Sequence, residues 1–322
     1  MTKLKKLKLF TLNRVSIFYI SLIIILKINM TIKSFKYAFI LLLSSSLIAC
    51  QSNSNENVNK DVSNENEVVS ENATNPEIED QDDNFQFIPP SPIQIGLILE
   101  KAGMEYIPNL ANPSNAVDNY TDKFSQSICF GVYSCDLAYS VLNDQYDEAS
   151  AYLKSIKNLG SKIGLETVFN SEDIINRFEK NIGNKDSIVD ILIYVQENTD
   201  AYIDDNDMNE ISVIYFIGAW IEGMYLGVKT LDKENEKNIG ILLSEQMGIL
   251  ELLLDGLAHI KEKSDDIIEL NDSISELLEM YNNLESIQSS AEYKDNLDIE
   301  LTQEEIKLIS AKIIDIRQTL VQ

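Results

Sequence analysis

From Ser91 to the C-terminus, apolar residues recur three and four positions apart with polar residues between them. Ile267, Leu270, Ile274, Leu277, Tyr281 and Leu284 follow this spacing, as do Ile306, Ile309, Ile313, Ile316 and Leu320. Ile239, Leu243, Gln246, Leu250, Leu253, Leu257 and Ile260 repeat it with one polar interruption. At 3.6 residues per turn, such spacing returns each apolar side chain to one face, as in helices packed nearly side by side. The pattern predicts helices near 92–103, 115–143, 146–163, 171–182, 186–204, 208–231, 235–262, 265–288 and 302–321. Start signals support several of them. Ser91-Pro92 is an N-cap followed by a first-turn proline. Ser264 precedes Asp265 and Asp266, which place negative charge at a helix N-terminus. Thr302 and Glu305 have the spacing of a capping box. No strand is expected: there is no Asn-Gly pair, and Asp255-Gly256 sits inside a helical pattern. Residues 91–322 therefore predict an all-α domain, a multi-helix bundle or irregular array of helical hairpins.

The helix near 208–231 differs from the rest. Ile211 to Val228 contains one charge, Glu222, and is apolar nearly all round. Ala219, Gly223 and Gly227, four apart, leave a bare stripe along which a neighbour can approach closely. Its length suits a membrane span, but Glu222 and the glycines favour the central helix of a soluble bundle. Within 128–164, Tyr139, Leu142, Tyr146, Ala149 and Tyr152 give a helical hairpin similar to a tetratricopeptide unit, with no clean second copy at the expected period.

The N-terminal part has another organisation. After Lys33 and Lys36 comes an apolar run, Tyr37 to Leu43, then Ser44-Ser45-Ser46 and Leu47-Ile48-Ala49-Cys50. This is the anatomy of a secretory signal ending in a lipobox. It is too short for a comfortable span of about 20 apolar residues. It resembles the signals read by lipoprotein-processing enzymes, and the resemblance implies a diacylglyceryl thioether on Cys50, cleavage before it, and usually acylation of the new amine. A thiolate is the nucleophile such chemistry needs. Each buried methylene adds roughly 0.8 kcal/mol, so two or three acyl chains hold a protein on a membrane durably. An earlier apolar run, Val15 to Leu26, follows Lys3, Lys5, Lys6, Lys8 and Arg14. A start at Met30 gives a complete signal, so 1–29 read as an upstream start codon; a real N-terminal span is the alternative. Residues 51–84 carry one lysine, ten acidic residues and no aromatic residue. That composition predicts a disordered, charge-extended tether. The expected organisation is a signal region (1–49), a lipidated cysteine with an acidic linker (50–90), and the helical domain (91–322).

Charge narrows the partners. The chain carries 26 basic and 52 acidic residues; eight basic and no acidic residues precede Cys50, leaving 18 against 52 beyond it, or −34. Such a field argues against nucleic acid and against electrostatic attachment to an anionic membrane. A lone histidine, His259, disfavours a multi-histidine metal site, and no metal or cofactor is expected. Cys129 and Cys135 lie six apart on one predicted helix, too far for a disulfide, and are expected as buried free thiols.

Two carboxylates stand in apolar surroundings. Asp136 is the sole charge between Lys123 and Asp144, flanked by Tyr133 and Tyr139; Glu222 lies near Trp220 and Tyr225. Buried carboxylates must be paired, hydrogen-bonded or neutralised. Facing one cavity, they would make an acid/base pair or a cation site; sealed, they would specify helix register. Asp136, Glu222, Tyr133, Tyr139 and Trp220 are thus the candidate ligand-binding residues. Asp204-Asp205-Asn206-Asp207 fails as a calcium loop, because Glu210 and Phe216 stand where glycine and glutamate are needed. Glu251, Asp255 and His259 share a helix face, but Gly256 stands where a di-iron motif needs glutamate. No catalytic residue set and no glycine-rich phosphate loop is found.

The stretch from Gly131 to Gly164 and the segment Gly218-Ala219-Trp220-Ile221-Glu222-Gly223 are similar to a set of uncharacterised helical lipoproteins common in Bacteroidota. The resemblance implies a cell-envelope location, with the outer membrane favoured over other envelope sites, and it implies no activity. The expectation is a protein held on the membrane through Cys50, a non-catalytic scaffold or binding module with a protein partner in the envelope. The alternative is a small-molecule or cation-binding protein using Asp136 and Glu222; an enzyme of unknown reaction is third.

Overall fold

Ser91 starts the first helix with a reciprocal cap: its hydroxyl accepts from the Gln94 amide, and the Gln94 side chain accepts from the Ser91 amide. The computed structural model describes residues 90–170, 173–290 and 299–322. The expectations for the signal region, Cys50 and the acidic linker lie outside them. Among the described residues the chain forms α1 (Pro92–Lys101), a 3₁₀ turn (Ser114–Asn119), α2 (Lys123–Leu142), α3 (Tyr146–Lys162), α4 (Glu166–Asn170), α5 (Ile174–Lys180) and α6 (Lys185–Asp205). It continues with α7 (Asn209–Lys229), α8 (Glu236–Met247), α9 (Leu250–His259), α10 (Asp265–Asn282), α11 (Glu285–Ser290) and α12 (Gln303–Leu320). No strand occurs among these residues, and the fold is all-α. The caps at Ser264 and Thr302 form as expected, the second as a full capping box with Glu305.

Four predicted helices end or divide earlier than the spacing suggests, three of them for a local reason. The 115–143 segment splits because Tyr120 is extended and the Asp122 side chain caps α2 by accepting from the Ser125 amide. The 235–262 segment divides after Met247. Its backbone stays right-handed through Gly248 and Ile249, but the bonds contract to i→i+3, and α9 restarts at Leu250. The 265–288 segment breaks at Asn283, where the Leu284 amide reaches only to Tyr281. In the 171–182 region the structure shows α4 before it and α5 within it. Gly164, at φ 93°, terminates α3 in the left-handed region that glycine enters at low cost.

Helix α7 is the axis of the fold. It is apolar and long enough to cross a membrane, yet nearly all of it is buried against the rest of the protein. Its flat side meets α2 in the most extensive helix pairing of the fold. At the crossing, a Cβ on Gly131 would lie 1.7 Å from the Tyr215 carbonyl oxygen, and a Cβ on Gly218 would lie 2.2 Å from that of Ile128. The two backbones touch there, which only glycine on each helix permits. Helix α2 runs unbroken through Gly131, and Cys129 and Cys135 are buried free thiols. The stripe formed by Gly223 and Gly227 receives a different neighbour: Ile95 and Leu99 of α1 occupy the space their side chains would need. Helix α12 closes another side of α7, burying Ile306, Ile309, Ile313 and Ile316.

Candidate functional site

Packing α2 and α12 against α7 brings three charged side chains from distant parts of the chain into the interior. Asp136 and Glu222 are both fully buried at 0% exposure. The third is Arg317, also buried, from the last turn of α12. Its Nε donates to Glu222 Oε2 at 2.8 Å and its Nη2 to Oε1 at 3.1 Å, a two-pronged fork that fixes both oxygens of the carboxylate. The guanidinium also lies over the Tyr225 ring, 4.5 Å from its centre. Burial alone would make Arg317 easier to deprotonate, but the Glu222 charge more than offsets this and raises its affinity for the proton.

Asp136 is held differently. Its Oδ2 accepts from the Asn112 backbone amide at 3.2 Å, and its carboxyl lies within hydrogen-bonding reach of the Glu222 carboxylate. Burial pushes its carboxyl well above the usual carboxylate range, and the neighbouring negative charge of Glu222 pushes it further; Arg317 only partly opposes them. Both effects favour the neutral acid of Asp136, beside a Glu222 already engaged by Arg317.

The tyrosines that flank Asp136 in sequence face a loop rather than a cavity. Residues 104–121 cross over α2 and α3 with several carbonyls turned inward. Tyr133 donates to the Pro113 carbonyl at 2.9 Å, Tyr152 to that of Asn112 at 2.9 Å, and Tyr139 to that of Glu105 at 3.2 Å. The Tyr139 oxygen also accepts from the Ile107 amide at 2.6 Å, and Ser155 donates to the Ser114 carbonyl at 2.9 Å. Buried loop backbone needs such partners because water cannot reach it. The phenols stay protonated: burial raises Tyr133 and Tyr152 far above the ordinary value, and raises Tyr120, which accepts from Asn112 Nδ2, to about 12.

Among the sequence-selected residues, the structure brings Asp136 and Glu222 together and places Tyr133 and Tyr139 on the loop above. Trp220 is fully buried, and its Nε1 has no hydrogen-bond partner among the described residues. Cys50 lies outside them. The surface concavities beside α3 and beside α8 are lined by none of these side chains. Among the described residues no group of three or more His, Cys, Asp or Glu side chains is arranged to hold a metal ion. Asp204 and Asp205, which end α6, and Asn206 and Asp207 beyond them are exposed, as is His259, whose ring is bonded to the Asp255 carbonyl. Sequence reasoning missed Arg317 and Asn112. Arg317 had a signal: it lies four residues after Ile313 and beside Ile316, a charge on the apolar stripe of α12. Asn112, in a loop, had none.

No family model, curated protein or solved structure matches this chain.

Proposed function

We propose that this is a lipid-anchored cell-envelope protein whose helical domain serves as a non-catalytic scaffold or binding module. The observation that carries the non-catalytic half is the engagement of the two buried carboxylates. Glu222 has both oxygens committed to Arg317, and Asp136 is covered by the Asn112 segment, so neither is presented to a substrate. Acid/base or cation chemistry needs at least one of them within reach of a bound molecule. A structural role needs only that each be compensated where it sits. The anchored half rests on the Leu47-Ile48-Ala49-Cys50 signal and on the resemblance of the helical segments to envelope lipoproteins. The favoured location is the outer membrane, with attachment through acyl chains on Cys50.

Fractionation and mass spectrometry of the wild type and a Cys50→Ser variant test the reading. An N-terminal acylated cysteine in the membrane fraction, with the variant released as soluble protein, is the expected result. An uncut, unmodified N-terminus, or a variant that stays on the membrane, contradicts it. Crosslinking in the native envelope should then capture a polypeptide partner of the anchored form.

A further inference from the structure

A chain with twice as many acidic as basic residues reverses its sign locally on α3 and α5. From Lys154 to Lys180 it carries five basic residues against four acidic ones. Lys154, Lys157, Asn158, Ser161 and Lys162 fall three, four, seven and eight residues along α3, which places them on one stripe of the helix. With Ile175 of α5 they line a shallow open basin of about 570 Å³, and among the described residues no acidic side chain lines it. Lys162 makes one long contact, 3.7 Å, with the exposed Asp118. Lys154 and Lys157 have no carboxylate partner among the described residues, although acids are abundant on this surface.

We propose that this basin docks an acidic segment of a partner polypeptide, which deepens the scaffold reading and rests on it. The lysine stripe spans about 12 Å of helix, at 1.5 Å rise per residue. That length suits several carboxylates spaced along an extended chain better than one compact anion, and the open shape has no walls to enclose a small molecule. Asn158 and Ser161 lie between the charges; the Asn158 amide can meet the peptide backbone, and the Ser161 oxygen, whose proton goes to the Lys157 carbonyl, can accept from it. Ile175 and the lysine stems give aliphatic residues of the segment a surface to cover. The surrounding negative field repels large polyanions and anionic bilayers, so recognition is confined to a short acidic segment that reaches the basin.

Fluorescence anisotropy of fluorescein-labelled octaglutamate with the full chain tests this, using wild type and a Lys154→Glu/Lys157→Glu variant; the two lysines are exposed or half-buried, so the variant should fold. Wild type should bind saturably and more weakly as salt rises, and the variant should lose roughly tenfold or more in affinity, a few-fold for each surface charge reversed. Equal binding by the variant overturns the proposal. So does lysine-dependent binding to phosphatidylglycerol vesicles without binding to octaglutamate. If octaglutamate fails while polypeptide crosslinks in the envelope persist in both proteins, the basin assignment falls and the scaffold reading stands. If no polypeptide is crosslinked to the intact protein, both fall.

Discussion

Arg317 grips both oxygens of Glu222 from ninety-five residues away, joining the last helix of the chain to its central one. The fork sits where α12 packs on α7, and the other residues that α12 buries are mostly isoleucines, whose apolar burial alone fixes no single register. A two-pronged ion pair has one geometry, so it selects one register among several of similar apolar burial. Its net contribution to stability need not be large; its removal from one side is costly, because the remaining charge has nowhere to go.

Asp136 makes stability depend on pH in a defined direction. Its native affinity for a proton exceeds that of the unfolded chain, so its contribution is fully present below the unfolded value near 3.8 and is lost as pH rises through the elevated native value. Asp136→Asn keeps an acceptor for the Asn112 amide and imitates the neutral acid. Urea unfolding at pH 5 and pH 8 should show the variant gaining on the wild type as pH rises. A difference that does not change with pH would refute the assignment of a neutral Asp136.

Contact between the α2 and α7 backbones makes Gly131 and Gly218 intolerant of any side chain. A methyl at Gly131 would fall 1.7 Å from a carbonyl oxygen, and backbone cannot swing aside as a side-chain tip can. Gly131→Ala should destabilise the fold by about 3 kcal/mol or more, at the upper end of overpacking effects. By contrast, Gly183→Ala meets nothing within 4 Å; its φ of 85° leaves only local strain, and it should cost about 1 kcal/mol. Thermal denaturation of the two variants measures the contrast, and equal effects would mean that the helices stand further apart.

Tyrosine hydroxyls hold down the 104–121 loop, so removing one should loosen that loop and leave the bundle intact. Tyr152→Phe leaves the Asn112 carbonyl without its donor at about 1–2 kcal/mol. Hydrogen exchange should accelerate in 104–121 and stay unchanged in α7. Uniform acceleration across the helices would show instead that the loop and bundle open as one unit.

Much of this architecture is legible in the residue pattern because helix formation and its caps are local. Thr302 with Glu305, the apolar rows of α10 and α12, and the nearly uncharged run of α7 each declare their structure within a few turns. Asp136 and Glu222 are conspicuous for a related reason: a lone carboxylate in an apolar run must find a partner. What compensates them is not local. Arg317 looks like an ordinary basic residue in the last turn of a helix, where it suits the dipole, until α12 is placed against α7. Asn112 contributes a backbone amide, and residue type says nothing about where an amide points. The break at Gly248 is hidden because its backbone never leaves the helical region; only the contraction of the hydrogen bonds separates α8 from α9. The tyrosines mislead in an instructive way: their rings sit beside an acid, but their hydroxyls serve a loop that the apolar pattern does not mark.

A double-mutant cycle across Glu222 and Arg317, read by urea unfolding, tests most directly whether the buried polar centre is structural. Arg317→Met alone should cost about 3–5 kcal/mol by stranding the Glu222 charge, and Glu222→Leu alone should also destabilise. The double variant should recover to within about 1–2 kcal/mol of the wild type and keep the same envelope crosslinks. A double variant as unstable as the sum of the singles, or one that folds normally yet loses its crosslinked partner, would contradict the structural account and make the pair part of a binding site.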